Sequence, residues 1–194
     1  MSYHLYHTDA LILNSTPRGE GSKILSIFTR KFGLIAASAQ SVREERSKLR
    51  YGLQDFSYSD LSLVRGREYW RVTNAALIDP IIRELSLQAR SVFGRISLLL
   101  SRLLAGEEKN EPIFTTLLFG LEFIKKHDGR LLEGAEIVLV LRILYSLGYL
   151  APRNEFDAFL SDVDLWNISI VEQAFAYRRL AITHINHSLR QTQL

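Results

Sequence analysis

The sequence contains no cysteine and only one methionine in 194 residues. Without cysteine there are no disulfides, no thiolate catalysis and no cysteine-ligated zinc. Proline is scarce as well, and each of the four (Pro17, Pro80, Pro112 and Pro152) falls where another signal also marks a turn or a helix boundary. Long hydrophobic runs are missing. The longest apolar stretch, Ile137 to Ala151, is interrupted by Arg142 and falls short of the roughly 20 residues that a bilayer requires. It reads as a buried helix, and no membrane partner is expected. Met1 to Ala10 holds two histidines and an aspartate but no basic region leading into an apolar run. A signal peptide is therefore not expected, and a cytoplasmic location is. No segment repeats another and none is of low complexity. What remains is 47% apolar and 23% charged, ordinary globular composition with ample material for a core.

The net charge of +3 is unevenly distributed. Residues 1–80 carry 11 Lys and Arg against 8 Asp and Glu, whereas residues 81–194 carry 13 of each. Within the first part, Arg18, Lys23, Arg30, Lys31, Arg43, Arg46, Lys48 and Arg50 face only Glu20, Glu44 and Glu45. This local excess points to an anionic partner or to a solvated loop.

Between Thr8 and Ala76 the chain comes in short β-branched, aromatic and alternating runs separated by turn formers. Five strands are predicted. They are Asp9–Asn14, closed by the Ser15, Pro17, Gly19, Gly21 cluster; Lys23–Thr29; Leu34–Ala39; Phe56–Val64; and Glu68–Asn74, entered by a hairpin at Arg65-Gly66. A long polar insertion, Gln40 to Gly52, separates the third from the fourth. The count and the insertion fit the five-stranded barrel called the OB-fold, with a small sandwich as the competing arrangement. Asp79-Pro80 ends this region, and the rest of the chain is helical in spacing. The expected class is α+β, an N-terminal OB-fold domain over residues 1–79 followed by an all-helical domain over 80–194. The first helix is expected from Ile82 to Leu104 and the second from Pro112 to Lys126. A third, from Leu131 to Leu147, is apolar on most faces and expected at the centre of the bundle. The last is expected from Ser169 to Gln191.

Catalytic constellations fail on spacing. Gly129 to Gly134 has the glycine interval of a phosphate-binding loop but continues with Ala135-Glu136. Gly19-Glu20-Gly21 lacks the third glycine of a dinucleotide fingerprint and reads as turn chemistry. His184 and His187 lie three apart on one helical face, but without the glutamate of a metalloprotease motif they read as surface histidines. Asp157, Asp162 and Asp164 lack the ligand interval of a calcium loop and read as capping and solvated groups. No paired carboxylates and no nucleophile with an evident base emerge. The expectation is a protein without catalytic residues, metal or cofactor.

A barrel that binds single strands needs cations to follow phosphates and flat rings on which bases stack. The segment Arg43-Glu44-Glu45-Arg46-Ser47-Lys48-Leu49-Arg50-Tyr51 places four cations and one ring between strands, where OB-folds commonly carry binding groups. The predicted contacts are Lys23, Arg43, Arg46, Lys48 and Arg50 to phosphates and Tyr51 to a base. Phe28, Phe32, Phe56, Tyr58, Tyr69 and Trp70 are further rings, most of them expected in the core.

Several blocks carry a resemblance. Thr8-Asp9-Ala10-Leu11-Ile12-Leu13 and Gly19-Glu20-Gly21-Ser22-Lys23-Ile24-Leu25-Ser26-Ile27-Phe28-Thr29-Arg30-Lys31-Phe32-Gly33-Leu34-Ile35 resemble the opening of the RecO family. Ala39-Gln40-Ser41-Val42-Arg43, Ser47-Lys48-Leu49-Arg50, Leu53-Gln54-Asp55-Phe56 and Arg65-Gly66-Arg67-Glu68 match later blocks in order and spacing. Leu147-Gly148-Tyr149-Leu150-Ala151-Pro152 and the final residues 185–194 are similar more diffusely. Three departures stand out: Ser41 where the family usually has glycine, Asp55 where it usually has proline, and no four-cysteine zinc site. The chain is also shorter than most members, the shortening falling at the zinc region.

The resemblance implies an OB-fold joined to a helical domain. It implies binding of single- and double-stranded DNA, annealing of complementary strands, and help in loading recombinase onto strands covered by single-strand-binding protein. The implied partners are RecR and the acidic C-terminal tail of single-strand-binding protein. The competing expectation is an OB-fold adaptor that joins proteins and binds no DNA.

Overall fold

The computed structural model describes residues 4–104, 106–151, 153–160 and 165–191. Five strands, β1 (Leu5–Arg18), β2 (Ser22–Thr29), β3 (Gly33–Ala39), β4 (Tyr58–Val64) and β5 (Trp70–Asp79), close in the order β1-β2-β3-β5-β4. All pairings are antiparallel except β3 with β5, which meet in parallel over Ala37↔Trp70 and Ser38↔Arg71. This is the OB-fold arrangement. Alternation along the strands sends Ala10, Ile12, Leu25, Ile27, Ile35, Ala37, Leu61, Leu63 and Val72 into a common buried core.

The strand ends differ from the expected ones for local reasons. β1 runs past Asn14 and through Pro17 to Arg18. Beyond Leu11 it pairs with β2 alone, so Pro17 lies on a free edge where its missing N–H disrupts no second ladder. β4 begins at Tyr58 because Phe56 has a φ of 62°, which no strand accommodates. β5 extends to Asp79 despite the low strand propensity of Asn74, Ala75 and Ala76. Pairing with β4 overrides that propensity, and an irregularity at Thr73 keeps Val72 and Ala75 inward.

The helices are α1 (Ile81–Glu84), α2 (Leu87–Leu103), α3 (Glu111–Lys126), α4 (Arg130–Ser146), α5 (Asp157–Leu160), α6 (Ile168–Ala176) and α7 (Arg178–Gln191), with a 3-10 turn over Asn154–Phe156. Two expected helices are each split. Ser86 accepts the N–H of Ala89 on its side-chain oxygen at 3.2 Å and so starts α2 afresh after α1. Tyr177 closes α6 before α7 begins at Arg178. α4 packs against α2, α3, α5, α6 and α7, the central position that its apolar faces require. Its Arg142 is buried. It donates to the carbonyls of Phe159 (2.7 Å) and Leu165 (3.0 Å) and lies over the ring of Trp166.

The chain divides into two compact units, Met1–Glu84 with Leu104–Asn110, and Leu85–Leu103 with Glu111–Leu194. Inside the first, Glu107 accepts from Trp70 Nε1 at 2.8 Å and from Arg65 at 3.0 Å, which fastens the returning connector to the barrel.

Candidate nucleic-acid interface

The insertion between β3 and β4, residues 40–57, is held down at three apolar points. Val42 and Leu53 are 3% and 1% exposed, and Leu49 packs against the same core. Between these anchors the backbone folds into successive turns, Ser47 N–H to Glu44 O, Arg50 N–H to Ser47 O and Leu53 N–H to Leu49 O. The carbonyl of Gly52 accepts from the hydroxyls of Ser57 and Ser59 at 3.1 and 2.7 Å. A Cβ on Gly52 would lie 2.9 Å from both Cβ and O of Ala75, so glycine lets the loop lie against β5. With its apolar residues inward, the loop turns its charges outward.

Arg43, Arg46, Lys48, Arg50 and Tyr51 are all exposed, Tyr51 at 59%. Among the described residues Arg46, Lys48 and Arg50 form no ion pair. Arg43 binds the tip of the β1–β2 hairpin, its N–H to Gly21 O at 3.0 Å and its Nη1 to Gly19 O at 3.2 Å. Lys23 pairs with Ala39, the last residue before the loop. It is half-buried on β2 and donates to Ser15 Oγ at 3.0 Å.

Two other cations of the basic run have partners inside the protein. Arg30 holds Asp9 with Nε 2.8 Å from Oδ2, and the Tyr58 hydroxyl donates to the same oxygen at 2.6 Å. Burial by itself would raise the Asp9 carboxyl, but the hydrogen bonds from Tyr58 and Arg30 outweigh it and hold the group below the usual carboxylate range. Burial and the bond to ionised Asp9 raise the Tyr58 phenol. Lys31 donates to the carbonyl of His7 at 2.8 Å. The phosphate-seeking charge of the run is therefore smaller than its sequence count.

Three of the six rings expected mostly in the core take that role, Phe28, Phe32 and Trp70, while Phe56 and Tyr58 are half-buried. Phe28 is fully buried, and Trp70 forms a cluster with Tyr6 and Phe32 at centroid distances of 5.3 and 5.1 Å. Tyr51 and Tyr69 remain exposed. Arg18, which is not among the predicted contacts, places its guanidinium 5.5 Å over the ring of Tyr69. The visible signal was the arginine-rich hairpin Arg65-Gly66-Arg67 placed just before an aromatic pair.

In the helical unit, Phe119, Phe123, Lys126, His127, Trp166 and Ile168 line an open cleft of about 710 Å3. His184 corrects its expectation as a surface histidine. It is half-buried and stacked on Phe156 at 5.5 Å, whereas His187 is exposed. Asp157 opens α5, and Asp162 and Asp164 lie outside the described residues. Among the described residues no helix is long and apolar enough to cross a membrane.

The family described as Recombination protein O N terminal matches residues 1–81, the span of the barrel. Residues 1–81 are thus a RecO-family N-terminal domain, and the similarity to RecO proteins continues beyond it. It is 33% identical over 147 residues to the DNA repair protein RecO of Pelotomaculum thermopropionicum, covering 75% of this chain and 56% of that one. With the DNA repair protein RecO of Dehalococcoides mccartyi it shares 37% identity over 120 residues, 61% of this chain and 47% of the other. The corresponding protein of Heliobacterium modesticaldum is 31% identical over 148 residues, 75% of this chain and 52% of its own length. The chain thus spans about half the length of these curated RecO relatives. Its two loop departures from the RecO pattern meet a ready backbone. Ser41 has a φ of 50°, the left-handed region that glycine occupies most easily, and Asp55 precedes Phe56 in a turn closed by Ser57 N–H to Gln54 O.

Proposed function

We propose that this chain is a non-enzymatic DNA-binding mediator of recombination and repair. In this reading it contacts phosphates through Arg43, Arg46, Lys48 and Arg50, with Lys23 at the edge of the surface and Tyr51 stacking a base. The observation that carries the reading is the anchored loop: Val42, Leu49 and Leu53 are held inward while Arg46, Lys48 and Arg50 stand exposed without intramolecular ion pairs among the described residues. Such a surface lowers the repulsion between two strands, so annealing follows from charge neutralisation and requires no hydrolysis. Single- and double-stranded DNA are both ligands, since phosphates are read without sequence.

The proposed protein partners are RecR and the acidic tail of single-strand-binding protein, at work in the cytoplasm. The cleft of the helical unit is the proposed place for the tail, with an apolar wall bordered by His127 and by Lys126, whose charge is partly met by Glu122 at 3.7 Å. Recombinase loading is the expected outcome on strands covered by that protein.

Titration of a labelled single-stranded oligonucleotide at several salt concentrations tests the reading. With all four loop cations changed to alanine, the log-log salt slope should fall by roughly 3, at about 0.7 per single-strand contact. An unchanged slope removes the loop from the interface. Absence of any binding by the unaltered chain would favour the protein adaptor instead.

A further inference from the structure

The hairpin between β4 and β5 is folded tightly, since a Cβ on Gly66 would lie 2.2 Å from the carbonyl oxygen of Tyr69. The fold sets its side chains to different tasks. Arg65 is committed to Glu107 and to the face of Trp70. Arg67 is exposed, and among the described residues its side chain forms no ion pair. Tyr69 is 36% exposed, with the Arg18 guanidinium over its ring. Arg18 belongs to the end of β1, and the adjoining hairpin tip is the one gripped by Arg43. Three connections remote in sequence, β1–β2, β3–β4 and β4–β5, are thus joined through the β1–β2 tip. Glu20 and Glu68 lie on the same connections and offset part of their positive charge.

We propose that the interface extends beyond the β3–β4 loop, so that a single strand crosses the β1–β2 tip and reaches the β4–β5 hairpin, where Tyr69 stacks a base and Arg18 and Arg67 hold phosphates. This rests on the DNA-binding reading of the barrel. The ligand is a single strand because a base within a duplex has no free face for Tyr69. A cation behind an exposed ring holds that ring in place and supplies charge beside it, the combination that sequence-tolerant strand binders use.

Anisotropy measured on the intact chain with oligo(dT) and with an abasic oligomer of equal length tests this. Tyr69→Ala should weaken oligo(dT) binding about five- to a hundredfold, leave abasic binding unchanged, and be rescued by Tyr69→Phe. Changing Arg18 and Arg67 together to glutamine should lower the salt slope by roughly 1.4. Equal losses on both oligomers, or none on either, would overturn the stacking role. Should Tyr69→Ala fail to fold by circular dichroism, an unchanged slope in the double arginine variant overturns the extended path. A chain whose slope responds to the loop cations but not to the hairpin defeats this inference alone. One that binds neither oligomer defeats the DNA-binding reading with it.

Discussion

Two residues of the β3–β4 connection, Ser41 at φ 50° and Phe56 at φ 62°, hold a backbone conformation that suits glycine. For a residue with a Cβ that region costs about 1–2 kcal/mol, while glycine costs about 0.5–1 kcal/mol in lost chain freedom. Ser41→Gly should therefore raise stability by up to about 1 kcal/mol, seen as a higher urea midpoint at constant slope. Asp55 is the second residue of a turn whose third, Phe56, has positive φ, the type II pattern in which proline suits the second place. Among the described residues its buried Oδ1 also has no hydrogen-bond partner. Asp55→Pro should add about 0.4–1 kcal/mol, and a lowered midpoint would contradict the turn. The sequence marked both positions as departures, but φ is not legible from residue type, so the direction of each effect emerges only from the fold. The same holds for Arg30, counted as a free cation because its partner Asp9 lies 21 residues away. The ionised Asp9 carboxylate, held below its usual range, contributes stability above the unfolded aspartate value of about 3.9 that is lost as pH falls through the folded value. Asp9→Asn should be less stable than the parent at neutral pH and lose less below about pH 4. Urea midpoints that run parallel for the two proteins over that range would dismiss the triad as a source of acid sensitivity.

The β3–β4 connection behaves as an element, because its apolar anchors are spaced so that each fastens one of its turns. Leu53 is the deepest of them. Leu53→Ala should cost about 2–5 kcal/mol and free the segment carrying Arg46, Lys48 and Arg50, whose peptide bonds trypsin would then cut ahead of global unfolding. Cleavage of the variant elsewhere first would mean that the loop is held by its hydrogen bonds alone. The strands were legible because alternation and turn residues coincide, and the register of Leu61 and Leu63 in β4 follows the written pattern. The helix breaks were not. Ser86 and Tyr177 interrupt apolar spacing without glycine or proline, and a serine, although favoured at helix starts, is also tolerated within a helix, so residue type alone does not mark the break. The β4–β5 hairpin shows the opposite failure. Its turn was predicted, but its meeting with Arg18 depends on barrel closure, which brings together residues that no local window contains.

Across the whole molecule the charge separates by segment, with an excess of three in residues 1–80 and balance in residues 81–194. Single-strand and duplex ligands then provide a joint test of which part carries the phosphates. Each phosphate neutralised contributes about 0.7 to the salt slope on a single strand and about 0.9 on B-form duplex. If one set of barrel cations serves both ligands, the duplex slope should exceed the single-strand slope by a factor of roughly 1.3. Residues 81–194, with 13 basic and 13 acidic side chains, have no net attraction to add. A measured ratio near ~2 would require further phosphate contacts on duplex, and those would have to come from local basic patches within the balanced segment. A ratio below about 1 would mean that the single strand reaches cations the duplex cannot. Tyr69 predicts that the strand's extra affinity is salt-independent, since stacking releases no counterions. The two ligands should therefore differ in affinity most at high salt, where the electrostatic part has been screened and base stacking remains.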